Sequence, residues 1–153
     1  KNGIVVRGIH DLAVRFSKCC SPVPGDEIVG FVTRGRGISI HRTDCINIIN
    51  LPDEERARLL DAEWEEPESE DNKAKYSTEI KIFANNRIGM FVDISKVFTE
   101  RQIDITSMNV RTNKQGKATI IMTFDIHGKE ELSQLTNRIR QVEGVLDIER
   151  TTG

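Results

Sequence analysis

Apolar residues recur with two different periods in the second half of the chain. Every second residue is apolar through Ile80, Ile82 and Ala84, which predicts a half-buried strand. The spacing then becomes helical from Gly89 to Arg101, and the two periods alternate to the end of the chain. The predicted elements are a strand at 77–86, a helix at 89–101, strands at 103–113 and 117–128, a helix at 129–144 and a strand at 145–150.

The order strand, helix, strand, strand, helix, strand predicts a ferredoxin-like βαββαβ domain. In that plan both helices cover one face of a four-stranded antiparallel sheet. The strand around Ile120, Met122 and Phe124 also carries Ile121 and Thr123 on its other side. We therefore expect a fairly apolar sheet face without helical cover, which would suit a second copy of the chain or another partner.

The first half of the chain predicts a smaller α+β domain. A basic hairpin is its clearest feature, because Gly35 and Gly37 permit positive φ in the turn "RGRG". Thr43 or Asp44 is expected to cap a helix whose apolar stripe begins at Cys45. The other predicted elements are a strand at 4–9, a helical turn within 10–20, strands at 27–33 and 37–41, a short acidic helix after residue 52 and a closing strand at 62–65.

Charge separates these two halves. The net charge is +3 over residues 1–52, −8 over 53–71 and +3 over 72–153. The acidic segment "EEPESEDNKAK" has few apolar residues and is typical of a solvated linker. We therefore predict a first domain at 1–66, a linker at 67–75 and a second domain at 76–153.

Composition limits the classes of function. The chain is 37% hydrophobic and 30% charged, and no apolar run approaches the ~18 residues of a membrane span. It opens on Lys1 without the pattern of a signal peptide, and three cysteines do not form a closed disulfide set. We expect a fragment of a longer cytoplasmic protein. The sequence contains no phosphate-binding Gly-Lys-Ser/Thr loop and no nucleophile elbow, so we assign no catalytic residue.

Cys19, Cys20, His41 and Cys45 form a candidate zinc set. They supply four ligands of the type that zinc prefers, and the spacing of His41 and Cys45 suits one helical turn. The neighbouring positions of Cys19 and Cys20 argue against a metal, because structural sites normally separate paired cysteines by two to four residues. Other interpretations stay open: small buried apolar residues, a vicinal disulfide, or catalytic Cys-His chemistry. The sequence makes no cofactor certain.

The segment "NNRIGMFVDIS", residues 85–95, resembles the turn between the first strand and first helix of ACT domains. The family pattern there is Asp-Arg-X-Gly-Leu-Leu, whereas this chain has Asn86 for Asp and Met90-Phe91 for the two leucines. The resemblance spans about residues 76–152 and implies a small-molecule-sensing regulatory module. It would bind a branched-chain amino acid, with the carboxylate at the amides of Asn86, Arg87, Ile88 and Gly89 and the ammonium group at Asn109.

The segment "VRFSKCCSPVPGDEIVGFVTRGRGISIHRTDC", residues 14–45, resembles another regulatory domain. This is the conserved-cysteine domain, also called the zinc-finger or ribosome-intersubunit domain, that precedes an ACT domain in long RelA/SpoT-type (p)ppGpp synthetase/hydrolases. The resemblance implies the C-terminal regulatory region of such a stringent-response enzyme, a GTP pyrophosphokinase, without its catalytic domains. Its partners would be the ribosome and, through the full-length parent, tRNA.

The basic residues of the first domain are the candidate RNA contacts. Guanidinium and ammonium groups bind RNA phosphates, and a net charge of +3 predicts weak binding by this region alone. The alternative function is a stand-alone zinc-binding protein or a stand-alone ACT sensor of a small molecule. The candidate RNA-binding residues are Arg34, Arg36, Arg42 and Lys18.

Overall fold

The computed structural model describes residues 3–6, 13–65 and 74–152 of the chain. The chain divides into two compact units, one made of residues 1–74 with 152–153 and the other of residues 75–151. Each unit contains its own sheet. The centre of the predicted acidic linker, residues 66–73, lies outside the described residues.

The first unit is a five-stranded sheet with one short α-helix and one 3-10 helix. The strand order is β1-β5-β3-β4-β2, in which β2 pairs with β4 in parallel and the other neighbours are antiparallel. The elements are β1 Ile4–Val6, β2 Val14–Phe16, β3 Ile28–Val32, β4 Ile38–Arg42, α1 Ile46–Ile49, the 3-10 helix Asp53–Arg58 and β5 Leu59–Trp64.

Two small apolar clusters hold the first unit together. One centres on Ile38 and Ile40 of β4, both fully buried, and Trp64 stacks on Phe16 beside it with ring centroids 5.6 Å apart. The other cluster consists of Cys20, Cys45 and Ile48, with partly buried side chains packed around them. Two of the three cysteines therefore belong to the core of this unit.

Two local predictions for this unit were wrong. The part of the predicted helical turn that the structure describes contains strand β2, because Val14 to Phe16 pair with Ile38 to Ile40 of β4. Neither Thr43 nor Asp44 caps the helix after β4. Cys45 occupies the N-cap position in extended conformation and makes no capping side-chain hydrogen bond. The helix α1 therefore starts after Cys45, one or two residues later than the predicted polar caps.

The second unit confirms the predicted ferredoxin-like plan. Its strand order is β7-β8-β6-β9, with every neighbouring pair antiparallel. Ile80 and Ile82 of β6 are fully buried, and Phe98 meets Phe124 edge to face at 5.0 Å. The elements are β6 Tyr76–Asn85, α2 Met90–Glu100, β7 Ile105–Thr112, β8 Lys117–Ile126, α3 Lys129–Arg140 and β9 Val145–Arg150.

The sheet face opposite this buried core is more polar than the sequence predicts. Ile120, Met122 and Phe124 all lie on the buried side of β8. Alternation leaves Phe83 and Ile121, both half-buried, on the other side. Charged and hydroxyl side chains surround these two apolar residues on the same face: Glu79, Lys81, Thr119, Thr123 and Asp125.

Gly35 and Gly37 provide a matched test of the hairpin between β3 and β4. Both have positive φ, but a Cβ at Gly37 would collide with the carbonyl of Ala13, whereas a Cβ at Gly35 would meet open space. We expect Gly35→Ala to cost ~1 kcal/mol of unfolding free energy from φ alone. Gly37→Ala should cost at least ~2 kcal/mol more, because the backbone must move. Urea unfolding followed by the fluorescence of Trp64, the only tryptophan, measures both; equal losses would contradict this packing.

Candidate functional site

The four candidate metal ligands converge on one point of the first unit. Cys19 and Cys20 lie in the turn after β2, His41 lies on β4, and Cys45 precedes α1. Their donor atoms all lie within 4.8 Å of one another. The Cys19 Sγ is 3.4 Å from both His41 Nδ1 and Cys45 Sγ, and the Cys20 Sγ is 3.9 Å from His41 Nδ1.

A tight turn brings the adjacent cysteines to the same point. The N–H of Ser21 donates to the carbonyl of Ser17, which curls the chain around Cys19 and Cys20, and Ser21 has a φ of 47°. A second tight turn, closed by the Cys45 N–H donating to the carbonyl of Arg42, follows β4. The turn therefore brings the Cys19 and Cys20 side chains to the same cluster, although the two residues are adjacent in sequence.

The donor spacing fits a tetrahedral zinc ion. With metal–sulfur bonds of about 2.3 Å and metal–nitrogen bonds of about 2.0 Å, the edges of a tetrahedron measure roughly 3.5–3.8 Å. The three separations given above, between 3.4 and 3.9 Å, lie close to that range. Three sulfurs and one imidazole nitrogen are also the donor types of structural zinc sites. These residues could therefore hold a metal ion.

Burial dominates the electrostatics of this cluster. It raises the pKa of the Cys20 thiol far above its ordinary value and also raises the pKa of Cys45. At Cys19 burial acts in the same direction, but side-chain hydrogen bonds, the largest from Ser17, outweigh it and lower that pKa. Burial lowers the pKa of His41, which keeps the imidazole neutral and its lone pair free. Of the three thiols, Cys19 is thus the one whose pKa is lowered.

The predicted RNA contacts separate into exposed and buried residues. The Arg34 side chain is 81% exposed, and its ion pair with Glu55, at 3.6 Å, is a weak surface contact. Arg36 and Lys18 are exposed as well. The Arg42 side chain is 7% exposed and bonds Asp44 and the carbonyl of Cys20, so the prediction that it contacts RNA is not supported.

The loop that is predicted to bind an amino acid, residues 86–89, leads into α2, the first helix of the second unit. Gly89 is the N-cap of α2 with a φ of 83°, and the helix has no capping side chain. The N–H of Asn86 already donates to the carbonyl of Gly116. Arg87 braces the loop by donating to the carbonyl of Glu143 at 2.9 Å and by pairing with Asp93. Within the described residues, the N–H groups of Ile88 and Gly89 donate no hydrogen bond.

Asn109 does not reach this loop within one unit. Asn109 of β7 pairs with Ile121 of β8, and Ile121 pairs with Lys81 of β6. The loop begins only after Asn85, at the end of β6. Two strand spacings and five residues of strand separate Asn109 from Asn86, about 10 Å across the sheet and about 16 Å along it. The predicted pairing of Asn109 with Asn86 around one ligand is therefore wrong for a single unit.

Comparison with protein families assigns both units. Residues 4–65 match the RelA/SpoT RIS domain, and residues 72–150 match the ACT domain. The chain belongs to the ACT domain family and carries a RelA/SpoT RIS domain before its ACT domain. The cysteine cluster and the basic hairpin thus lie in the RIS domain, and the loop at residues 86–89 lies in the ACT domain.

Relatives match the RIS and ACT domains together. A GTP pyrophosphokinase of Escherichia coli is 38% identical over 151 residues, which cover 98% of this chain and 20% of that protein. A GTP pyrophosphokinase of Streptomyces coelicolor is 37% identical over 150 residues, 98% of this chain and 17% of that protein. The chain spans about a fifth of the length of these relatives. Among solved structures, the ACT domain of a Chlorobium tepidum GTP pyrophosphokinase has a TM-score of 0.46 at 23% identity and covers 50% of this chain and 99% of that one.

Two supports of the RIS cluster were missed in the sequence. Ser39 bonds the second nitrogen of His41, and Asp44 bonds Arg42. Ser39 precedes His41 by two residues on one strand, so strand periodicity alone would have placed both side chains on one face. The Asp44 contact depends on the turn after β4, which the sequence did not predict.

Across the described parts of both domains, no helix is long and apolar enough to cross a membrane.

The cysteines of the metal-free chain should differ in reactivity. Cys19 is partly exposed and has a lowered pKa, whereas Cys20 and Cys45 are buried and have raised pKa values. We expect limited iodoacetamide treatment in the presence of a chelator to modify Cys19 first, because the thiolate is the reactive form. Peptide mass spectrometry measures the order. In urea the preference should disappear, and a faster reaction at Cys20 or Cys45 in the folded chain would contradict this assignment.

Proposed function

We propose that this chain is the C-terminal regulatory region of a stringent-response GTP pyrophosphokinase and (p)ppGpp hydrolase. It acts in the cytoplasm by docking to the ribosome, and the bond-making chemistry belongs to the rest of the parent protein. The match to relatives over 98% of this chain but only about a fifth of their length supports this division of roles. The relative from Mycobacterium tuberculosis, 35% identical over 150 residues, is named a bifunctional (p)ppGpp synthase/hydrolase.

The exposed basic hairpin of the RIS domain is the observation that carries the docking proposal. The hydroxyl of Thr33 closes the turn by donating to the carbonyl of Gly37 and accepting from the N–H of Arg36. This turn projects Arg34 and Arg36 into solvent, where their guanidinium groups can reach RNA phosphates. Lys18 adds an exposed positive charge to the same unit. The affinity of this region is weak, and the rest of the parent supplies further contacts to ribosome and tRNA.

Zinc is the metal that the RIS cluster suits best. Cys19, Cys20, His41 and Cys45 would hold it, and it would supply a structural crosslink rather than a reaction. The four residues join the turn after β2, the end of β4 and the start of α1. The hairpin that carries Arg34 and Arg36 leads directly into β4, and this crosslink would hold the other end of that strand.

Loss of the hairpin charges should weaken binding to ribosomes. We expect Arg34→Ala/Arg36→Ala to raise the dissociation constant for bacterial ribosomes by about tenfold. The slope of log affinity against log salt should fall by about two, one for each lost phosphate contact. Lys114→Ala is the matched control, because Lys114 is an exposed cation in the turn between β7 and β8 of the other unit. Co-sedimentation across a salt series measures these values, and equal losses in both variants would contradict the proposed contact.

The ACT loop supports a second candidate function, the sensing of a branched-chain amino acid. The N–H groups of Ile88 and Gly89 are available to a carboxylate, and the start of the 11-residue helix α2 favours negative charge there. Arg87 is committed to bracing the loop, so it would shape the site rather than bind the ligand. Asn109 could contribute only from a second copy of the chain, which would cover the open face of the ACT sheet around Phe83 and Ile121.

A bulky residue at Gly89 should abolish this binding. We expect valine or isoleucine to give saturable heat in calorimetry with the unmodified chain and none with Gly89→Val, because the side chain would occupy the approach to the amides. Gly35→Val is the control, since Gly35 also has positive φ and open space around its Cβ position but lies in the other unit. Unchanged binding by Gly89→Val, or absence of heat with the unmodified chain, would remove this second function.

A further inference from the structure

The imidazole of His41 is held from the side opposite the sulfurs. Its Nδ1 faces Cys19 Sγ at 3.4 Å and Cys20 Sγ at 3.9 Å, while its Nε2 lies 3.0 Å from the hydroxyl of Ser39. Ser39 is 8% exposed. A neutral imidazole carries one proton, and donation from Nε2–H to Ser39 leaves the lone pair of Nδ1 directed at the sulfurs.

Cys20 is held in a different way, by Arg42. The N–H of Arg42 donates to Cys20 Sγ at 3.3 Å, and its Nη1 donates to the carbonyl of Cys20 at 3.1 Å. The same guanidinium binds Asp44 with two further hydrogen bonds, from Nε at 2.9 Å and from Nη2 at 2.6 Å. Arg42 and Asp44 lie between the ligands His41 and Cys45 in sequence. One buried cation therefore ties the segment after β4 to the turn that carries Cys20.

We propose that Ser39, Arg42 and Asp44 are positioning residues of the RIS metal site. Ser39 selects Nδ1 of His41 as the ligating atom, and the Arg42–Asp44 pair orients Cys20 and the approach to Cys45. This inference rests on the metal binding proposed above. Outer-shell partners of this kind fix the tautomer and orientation of ligands, and their loss commonly lowers metal affinity 10- to 100-fold.

The arrangement also explains a buried arginine at a position where RNA binding was predicted. A side chain that is 7% exposed cannot reach a phosphate without leaving Asp44 and the carbonyl of Cys20. These two groups lie at the metal cluster, since Asp44 immediately precedes Cys45 and the carbonyl belongs to Cys20 itself. Arg42 therefore serves the site from within, whereas Arg34 and Arg36 face solvent.

Cobalt(II) titration of the whole chain tests this inference, because thiolate-bound tetrahedral cobalt has a distinctive absorption spectrum. We expect the unmodified chain to bind one Co²⁺, and Ser39→Ala, Arg42→Lys and Asp44→Asn each to bind 10- to 100-fold more weakly in competition with a chelator. Ser39→Thr, which keeps the hydroxyl, should retain most of the affinity. Thr43→Ala is the matched control, since the exposed hydroxyl of Thr43 is directed at Glu27 rather than at a ligand.

A spectroscopic readout separates positioning from general stability. In the ¹¹³Cd-loaded chain with ¹⁵N-histidine, coupling to cadmium should appear at Nδ1 of His41; coupling at Nε2 would overturn the role of Ser39. Trp64 fluorescence checks that each variant folds. If Arg42→Lys does not fold, Ser39→Ala and Asp44→Asn still test the inference.

The outcomes distinguish the two proposals. An unmodified chain that binds no Co²⁺ ends both the metal proposal and this inference. Binding by the unmodified chain together with affinities of the Ser39, Arg42 and Asp44 variants within twofold of that of Thr43→Ala ends this inference alone.

Discussion

The convergence of three thiols and one imidazole on one point is the constraint around which the first unit is arranged. Cys19 and Cys20, His41 and Cys45 come from three separate segments, and their donor atoms meet within 4.8 Å. Among the described residues, the apolar cluster at this point has three buried members, two of which are cysteines, and its other members are only partly buried. A single core in a domain of fewer than about 70 residues rarely supplies more than ~3–5 kcal/mol, and small domains often add a crosslink such as a disulfide or a metal. In our account a metal ion supplies that crosslink in the RIS domain.

Strand β4 connects this cluster to the basic hairpin. Strand β4 carries His41 near one end, and at the other end it follows the hairpin that exposes Arg34 and Arg36. Ser39 and Arg42, on either side of His41 in this strand, bond ligands rather than solvent. The second unit needs no such crosslink, because ten residue pairs join β6 to β8 and a continuous apolar core lies beneath them. The chain thus combines a RIS domain built around a cysteine–histidine cluster with an independently packed ACT domain.

Periodicity predicted the ACT fold well because its strands and helices are long and each buries one face. Ile80, Ile82 and Ala84 alternate as a strand, and Met90, Ile94 and Val97 recur as a helix. The short elements of the RIS domain escaped prediction, since three residues such as Val14–Phe16 form a strand only through pairing with β4. Composition named the four candidate metal ligands but not their partners. The roles of Arg42 and Asn109 depended on burial and on strand register, which sequence spacing does not report.

X-ray absorption at the zinc edge, on the chain purified without added metal, tests the central claim most directly. Our account predicts about one zinc per chain with a first shell of three sulfurs at about 2.3 Å and one nitrogen at about 2.0 Å. A purified, folded chain without zinc, or a first shell made mainly of oxygen and nitrogen, would contradict it.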